Sequence, residues 1–149
     1  MSNPGQNPVV YTDGSCVNQG LPAARAGYGV YWGEGHANNR SGAVSGAQDS
    51  NRAELRAAQQ AIKTAASQGH SGVTIRSDSH YVRNAVTNSA NFQQASTNRD
   101  LQQSINAMKG SVNVNVQHVK GHTGHHGNAQ AHGLAKAGAS GASGSRGKK

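Results

Sequence analysis

The sequence contains little cysteine, few acidic residues and few aromatic side chains. Its 149 residues include one Cys, six Asp and Glu, one Trp, one Phe and four Tyr. The single thiol, Cys16, cannot form an internal disulfide, which favours a reducing compartment. No segment reaches the ~18 apolar residues of a membrane-spanning helix, and residues 1–8 lack the basic and apolar stretches of a secretory signal. We therefore expect an intracellular protein, cytoplasmic or nuclear, with no membrane partner.

Basic residues outnumber acidic ones. The chain has 14 Lys and Arg against six Asp and Glu, which gives a formal net charge of +8. A positive field attracts polyanions, and nucleic acid is the commonest polyanion in a cell. A merely basic surface is the alternative, because Arg146, Lys148 and Lys149 belong to a Gly/Ser-rich C-terminal segment. Nucleic acid is therefore the leading candidate partner. Any acidic site must draw its residues from the six Asp and Glu of the chain.

The length suits one folded domain, which excludes a multidomain machine. We divide the chain into a flexible N-terminus at 1–8, a folded domain at 9–139 and a disordered basic Gly/Ser tail at 140–149. Hydrophobic periodicity within the domain predicts the order βββαβααβα. The strands are predicted at 9–12, 26–32, 40–46, 73–77 and 112–119, and the helices at 51–68, 80–87, 100–109 and 128–139.

This order predicts an α/β fold with a five-stranded mixed sheet flanked by helices. Residues 33–39 suit a hairpin between the second and third strands. The helix at 51–68 lies between two strands, which are therefore expected to be parallel. Residues 88–97 and 120–127 are predicted loops, the first polar and the second rich in Gly and His.

Three of the six acids fall where one site could form. Asp13 and Asp78 each follow a predicted parallel strand, and ligands gather at the carboxyl ends of such strands. Glu54 is predicted in the first turn of the helix that connects them. Carboxylates in one site repel each other unless a cation intervenes, and their hard oxygen atoms suit Mg²⁺ or Mn²⁺. The pattern predicts a divalent-metal site.

Each acid also has a local explanation. Asp13 before Gly14 is typical of a turn, Asp78 suits a helix cap, and Glu54 suits a capping box with Asn51. A zinc site built from histidines is a second alternative, although the spacing is irregular and no cysteine contributes. Its candidate ligands are His118, His122, His125, His126 and His132.

Short motifs recur here in the order of a known family. They are YTDGS at 11–15, NRAEL at 51–55, SDS at 77–79, GHTG at 121–124, GN at 127–128 and AHGLA at 131–135. With these motifs the sequence resembles type 1 ribonuclease H over residues 9–139. That resemblance implies the ribonuclease H-like fold and an endonuclease that cuts the RNA strand of RNA/DNA hybrids. A related fold with another activity, such as an exonuclease or integrase, fits the His122 loop less well.

The resemblance also implies two-metal-ion catalysis that leaves 5′-phosphate and 3′-hydroxyl ends with little sequence preference. Asp13, Glu54 and Asp78 would hold two Mg²⁺ ions, with Asp13 bridging them and Mn²⁺ as a substitute. His122 would assist turnover. The family's fourth acid is replaced by His132, which we include among the catalytic and metal-binding residues.

The change at His132 suggests two outcomes. A neutral imidazole prefers softer metals than Mg²⁺, so we expect weaker Mg²⁺ binding and a relative preference for Mn²⁺. Alternatively, the protein is a hybrid-binding module with impaired catalysis.

The substrate contacts are likewise implied by the resemblance. The 2′-hydroxyl distinguishes RNA from DNA, and no basic handle is expected at 88–98. We expect a monomer that binds the hybrid through Gly14, Ser15, Cys16, Ser50, Asn51, Arg52 and Asn128.

Overall fold

The computed structural model describes residues 7–87, 96–120 and 126–141, and its elements follow the predicted order. The strands are β1 (Val9–Val17), β2 (Arg25–Tyr31), β3 (Arg40–Ala43), β4 (Gly72–Ser77) and β5 (Asn113–His118). The helices are α1 (Ser50–Ser67), α2 (His80–Thr87), α3 (Arg99–Met108) and α4 (His126–Ser140), and a short 3-10 helix at Ser96–Asn98 precedes α3.

The strands form one mixed sheet in the order β3-β2-β1-β4-β5. The β1–β2 and β2–β3 pairs are antiparallel, whereas β1–β4 and β4–β5 are parallel. The predicted fold class, the hairpin and the parallel pair across α1 are thus confirmed. Since β1 and β4 pair only as far as Tyr11 and Arg76, the two strands separate beyond that point.

Helix α1 covers one face of the sheet, with α2 and α3 beside it. Its apolar positions, spaced three and four residues apart, bury Leu55 and Ile62 completely. The strands contribute Val10 and Ile75, which are also fully buried. This side of the sheet holds the main hydrophobic core.

Helix α4 covers β1, β2 and β3 on the opposite face. A Cβ atom added to Gly29 would lie 2.3 Å from the Ala131 carbonyl oxygen, and one added to Gly27 would lie 2.0 Å from the Ala139 nitrogen. The helix therefore packs directly on the backbone of β2, and only glycine permits so close an approach.

Several element boundaries differ from the sequence-based expectation. β3 ends at Ala43 rather than 46, since Gly46 has a φ of 86°, outside the strand region, and the carbonyls of Val44 and Gly46 accept hydrogen bonds from the Gln48 side chain. Helix α4 begins at His126, inside the predicted loop, and extends through Ser140, where the tail was expected to start. In the described residues, no helix has the length and apolar character needed to cross a membrane.

Some predictions lie outside the described residues. These are the 88–95 part of the polar loop, the His122 loop at 121–125, the first six residues of the predicted N-terminal segment, and the tail from 142 onward. The predicted division into three segments is therefore untested.

Candidate active site

Asp13 lies in the middle of β1, which continues to Val17. The explanation of Asp13 as a turn residue is wrong, because Asp13, Gly14 and Ser15 pair with β2 instead. Asp13 is two residues beyond Tyr11, as Asp78 is beyond Arg76, and Tyr11 and Arg76 are register partners. Side chains alternate along a strand, so Asp13 faces the same side of the sheet as Tyr11, and Asp78 comes directly after β4, where β1 and β4 diverge.

Glu54 lies in the second turn of α1 rather than the first. The helix begins one residue after its N-cap, Asp49, whose carboxylate accepts a hydrogen bond from the Arg52 N–H at 2.8 Å. The capping-box explanation for Glu54 with Asn51 is therefore wrong. Instead, Glu54 Oε1 accepts a hydrogen bond from the Gly14 N–H at 3.1 Å. A Cβ on Gly14 would lie 2.3 Å from the Glu54 nitrogen, so the glycine brings α1 against β1.

Asp78 follows the last residue of β4 and precedes α2. The Ser79 hydroxyl accepts a hydrogen bond from the Val82 N–H at 3.1 Å, so Ser79 caps α2. The explanation of Asp78 as a helix cap is therefore wrong. Its carboxylate is left available, with the Asn128 amide 3.5 Å from Oδ2.

The three carboxylates converge. One oxygen from each of Asp13, Glu54 and Asp78 lies within 4.8 Å of the other two. Burial raises the pKa of Glu54 well above its usual range, and the charges of Asp13 and Asp78 raise it further. Burial and the charge of Asp78 also raise the pKa of Asp13. Removing these charges from water beside each other is unfavourable, and a bound divalent cation would offset that cost.

His132 lies beside this cluster. Its Nδ1 is 2.9 Å from Asp13 Oδ2, and 48% of its side chain is exposed. When Asp13 is ionised its carboxylate only accepts, so Nδ1 is then the donor of this hydrogen bond. Among the described residues, the group of ligand atoms within 4.8 Å contains the three acids and does not include His132. The structure thus brings the predicted fourth residue to Asp13, and its role as a metal ligand stays a prediction.

The predicted substrate-binding residues occupy different environments. Cys16 Sγ lies 3.5 Å from the Gln48 carbonyl, and burial raises the pKa of this thiol. The Ser50 N–H donates to Gln19 Oε1 at 2.8 Å. Asn51 is exposed at the start of α1, and Ser15 is half-buried on β1. Asn128 is buried, only 6% exposed, behind Asp78.

Arg52 differs from the expected surface contact, because it is 6% exposed. Its guanidinium donates to both Asp100 carboxylate oxygens at 2.8 and 2.9 Å, and to the carbonyls of Ser45 and Thr97. The neighbouring Arg52 holds the pKa of Asp100 at about 2. Arg52 therefore joins the start of α1 to the start of α3, and its role in binding nucleic acid stays a prediction.

The described histidines of the alternative zinc site contact separate partners. The His118 ring stacks on His80, His126 meets the edge of Tyr31, and His132 bonds to Asp13. His122 and His125 lie outside the described residues.

The sequence-based prediction did not connect His118 with Asp78. His118 Nε2 lies 3.2 Å from the Asp78 backbone oxygen. The contact depends on the register that pairs Ser77 with His118, and the alternating pattern of β5 does not specify that register.

Comparison with known proteins identifies the family. A family model for RNase H matches residues 5–140. Ribonuclease H1 of Rattus norvegicus is 37% identical over 145 residues, covering 91% of this chain and 51% of the rat protein. Ribonuclease HI of Pasteurella multocida is 34% identical over 140 residues, covering 87% of this chain and 88% of that protein.

A solved structure gives the same result. LC9-RNase H1, described as a type 1 RNase H with the type 2 active-site motif, matches with a TM-score of 0.69 at 26% identity, covering 95% of this chain and 75% of that chain. The chain spans about half the length of the mammalian relatives that it matches. The family match extends over almost the whole described fold and includes all three clustered acids, so this chain belongs to the RNase H family, in its type 1 branch.

Proposed function

We propose that this protein is an endonuclease that hydrolyses the RNA strand of RNA/DNA hybrids with divalent metal ions. The observation that carries the proposal is the convergence of Asp13, Glu54 and Asp78, whose oxygens lie within 4.8 Å. The family match and the relatives named Ribonuclease H supply the substrate class. The net charge of +8 suits a polyanionic duplex.

The donor set fits Mg²⁺ or Mn²⁺. All three clustered groups are carboxylates, the hard oxygen ligands that these ions prefer. Burial and the repulsion between neighbouring carboxylates raise the pKa values of Asp13 and Glu54. A bound cation would counter both effects. Two ions held by these residues would supply an activated water and stabilise the leaving oxygen, giving 5′-phosphate and 3′-hydroxyl products.

The chain's own residues hold the acids in place. The Gly14 N–H orients the Glu54 carboxylate, and His132 donates to one oxygen of Asp13. This hydrogen bond engages one of the several lone-pair sites of the Asp13 carboxylate, and a neutral imidazole adds no negative charge to the metal site. We therefore infer that His132 weakens Mg²⁺ binding and shifts the preference toward Mn²⁺, the softer of the two ions.

A cleavage assay tests the function. Labelled RNA/DNA hybrid, RNA duplex and single-stranded RNA are incubated with Mg²⁺, Mn²⁺ or EDTA, and only the hybrid should be cut, only with metal. Glu54→Gln should lower the rate by about 10³-fold, because loss of several kcal/mol of transition-state stabilisation has that effect. Glu34→Gln makes the same chemical change at an exposed acid outside the cluster and should leave the rate unchanged. Binding of the hybrid without cleavage would instead indicate a binding module.

A second variant tests the role assigned to His132. His132→Asp should raise the Mg²⁺-dependent rate and reduce the ratio of Mn²⁺ to Mg²⁺ activity by about tenfold, the size typical of changes next to metal ligands. Rates are measured across a metal titration to separate affinity from turnover. No gain with Mg²⁺ would refute the inference about His132.

A further inference from the structure

The three clustered acids are held in different ways. Asp13 belongs to a strand paired with β2, and Glu54 belongs to the second turn of an 18-residue helix. Asp78 lies on the two-residue connection between β4 and α2, outside both elements. Regular backbone hydrogen bonds therefore fix the first two acids, whereas the position of Asp78 depends on side-chain contacts.

The β4–β5 ladder ends just before Asp78. Its last rung is the bond from the Val119 N–H to the Ser77 carbonyl at 2.9 Å. The next carbonyl along the chain, that of Asp78, lies 3.2 Å from His118 Nε2. A carbonyl oxygen only accepts, so Nε2 of His118 carries the hydrogen. The imidazole thereby continues the ladder by one bond where the two backbones separate.

His80 holds the ring that makes this bond. The His80 and His118 rings are stacked with centroids 3.9 Å apart and planes inclined by 12°. His80 is the first residue of α2, two residues after Asp78. The connection is thus held at its start by the His118 hydrogen bond and at its end by the ring contact.

We infer that His118 and His80 form a positioning pair that keeps the Asp78 carboxylate in the metal-binding cluster. The pair acts through the main chain of Asp78 and does not itself bind metal. This inference rests on the proposed function, because it assigns the pair a role toward the same metal site. Partners that orient ligands commonly change metal affinity by about 10–100-fold, and we expect the lower end because the bond goes to the backbone.

Four variants separate the hydrogen bond from the ring contact. His118→Phe keeps a ring against His80 but has no donor, whereas His118→Gln keeps a donor of similar reach. His80→Phe keeps the stack, and His80→Ala removes it. His36→Ala is the matched control. It also removes a stacked histidine, because the His36 ring stacks on Trp32 in the β2–β3 connection.

Two measurements on the whole chain decide the outcome. Mn²⁺ affinity, from the EPR signal of free Mn²⁺ without nucleic acid, should fall by about tenfold in His118→Phe. His80→Ala should show a smaller loss, while His118→Gln, His80→Phe and His36→Ala stay within about twofold. Amide hydrogen exchange at residues 77–80 in the metal-free protein should rise by about fivefold in His118→Phe, as expected for the loss of one hydrogen bond.

The two proposals fail differently. Wild-type affinity together with wild-type exchange in His118→Phe would overturn the positioning role. If the wild-type protein binds no Mn²⁺, the proposed function fails, and hydrogen exchange alone then decides whether the pair orders Asp78. If His118→Phe does not fold, the comparison of His80→Ala with His80→Phe tests the same connection from its other end.

Discussion

The two faces of the sheet are packed by opposite means. On the α1 face, branched side chains such as Leu55, Ile62 and Ile75 fill the space and are fully buried. On the α4 face, Gly27 and Gly29 remove side chains altogether, so that helix backbone meets strand backbone. Apart from the close contact at Gly14, the α1 face depends on side-chain volume being present, whereas the α4 face depends on its being absent.

The difference bears on the active site. Close contact between α4 and β2 brings α4 near β1 as well, and His132 reaches Asp13 at 2.9 Å from this helix. At the start of α4, a Cβ on Gly127 would lie 2.2 Å from the Tyr11 ring. The α1 face positions Glu54 through Gly14 in a similar way. Glycine thus sets the helix-to-strand distance wherever a functional side chain must reach β1.

Removing volume from the α1 face should give the largest loss of stability. Ile62→Ala should lower the free energy of unfolding by about 4 kcal/mol, within the range for buried Ile to Ala changes, because it leaves a cavity in the main core. Urea unfolding monitored by circular dichroism measures the change. A loss below about 1 kcal/mol would mean that this face does not depend on filled volume.

Adding volume to the α4 face should give the next largest loss. Gly29→Ala places a methyl group 2.3 Å from the Ala131 carbonyl oxygen. The backbone must move to relieve this clash, so the free energy of unfolding should fall by about 3 kcal/mol. Gly133→Ala is the matched control, since a Cβ there meets nothing within 4 Å. That control should stabilise the helix by about 1 kcal/mol. If Gly29→Ala and Gly133→Ala change the free energy of unfolding in the same direction, the proposed contrast between the two faces is wrong.

Much of the fold was predictable from residue patterns. The alternation of apolar residues in β5 and their helical spacing in α1 indicate which side of each element faces the core, so the sequence alone predicts both elements. The three acids were found because, in a chain with six acids, Asp13 and Asp78 each follow a segment that the sequence predicts as a parallel strand. Asp13, Gly14 and Ser15 have turn propensity, yet pairing with β2 overrides it and extends β1.

Other features depend on contacts between distant residues. Arg52 resembles an exposed helix residue until Asp100, 48 positions later, is brought to its guanidinium. The bond from His118 to Asp78 depends on strand register, which the alternating Val and Asn residues of β5 do not determine. Such contacts follow from tertiary packing, and no local pattern encodes them.

The Arg52–Asp100 pair sharpens the comparison, because it joins the α1 layer by an ion pair rather than by volume. Asp100 has a depressed pKa of about 2 in the folded protein against an ordinary 3.8. The pair therefore stabilises the fold fully above about pH 4, and the contribution is lost as the pH falls toward 2. The Asp100 side chain is 64% exposed, so solvent screening limits the effect to about 1 kcal/mol.

Asp100→Asn should remove this component of the pH dependence. Urea midpoints measured from pH 7 to pH 2 should show a smaller decline below pH 4 in the variant than in the wild-type protein. Glu34→Gln, an exposed acid in the β2–β3 connection, controls for the loss of one carboxylate. High salt should narrow the difference between wild type and Asp100→Asn, because it screens the exposed partner. Parallel curves for wild type and variant below pH 4 would show that the Arg52–Asp100 ion pair adds no measurable stability to the α1 layer.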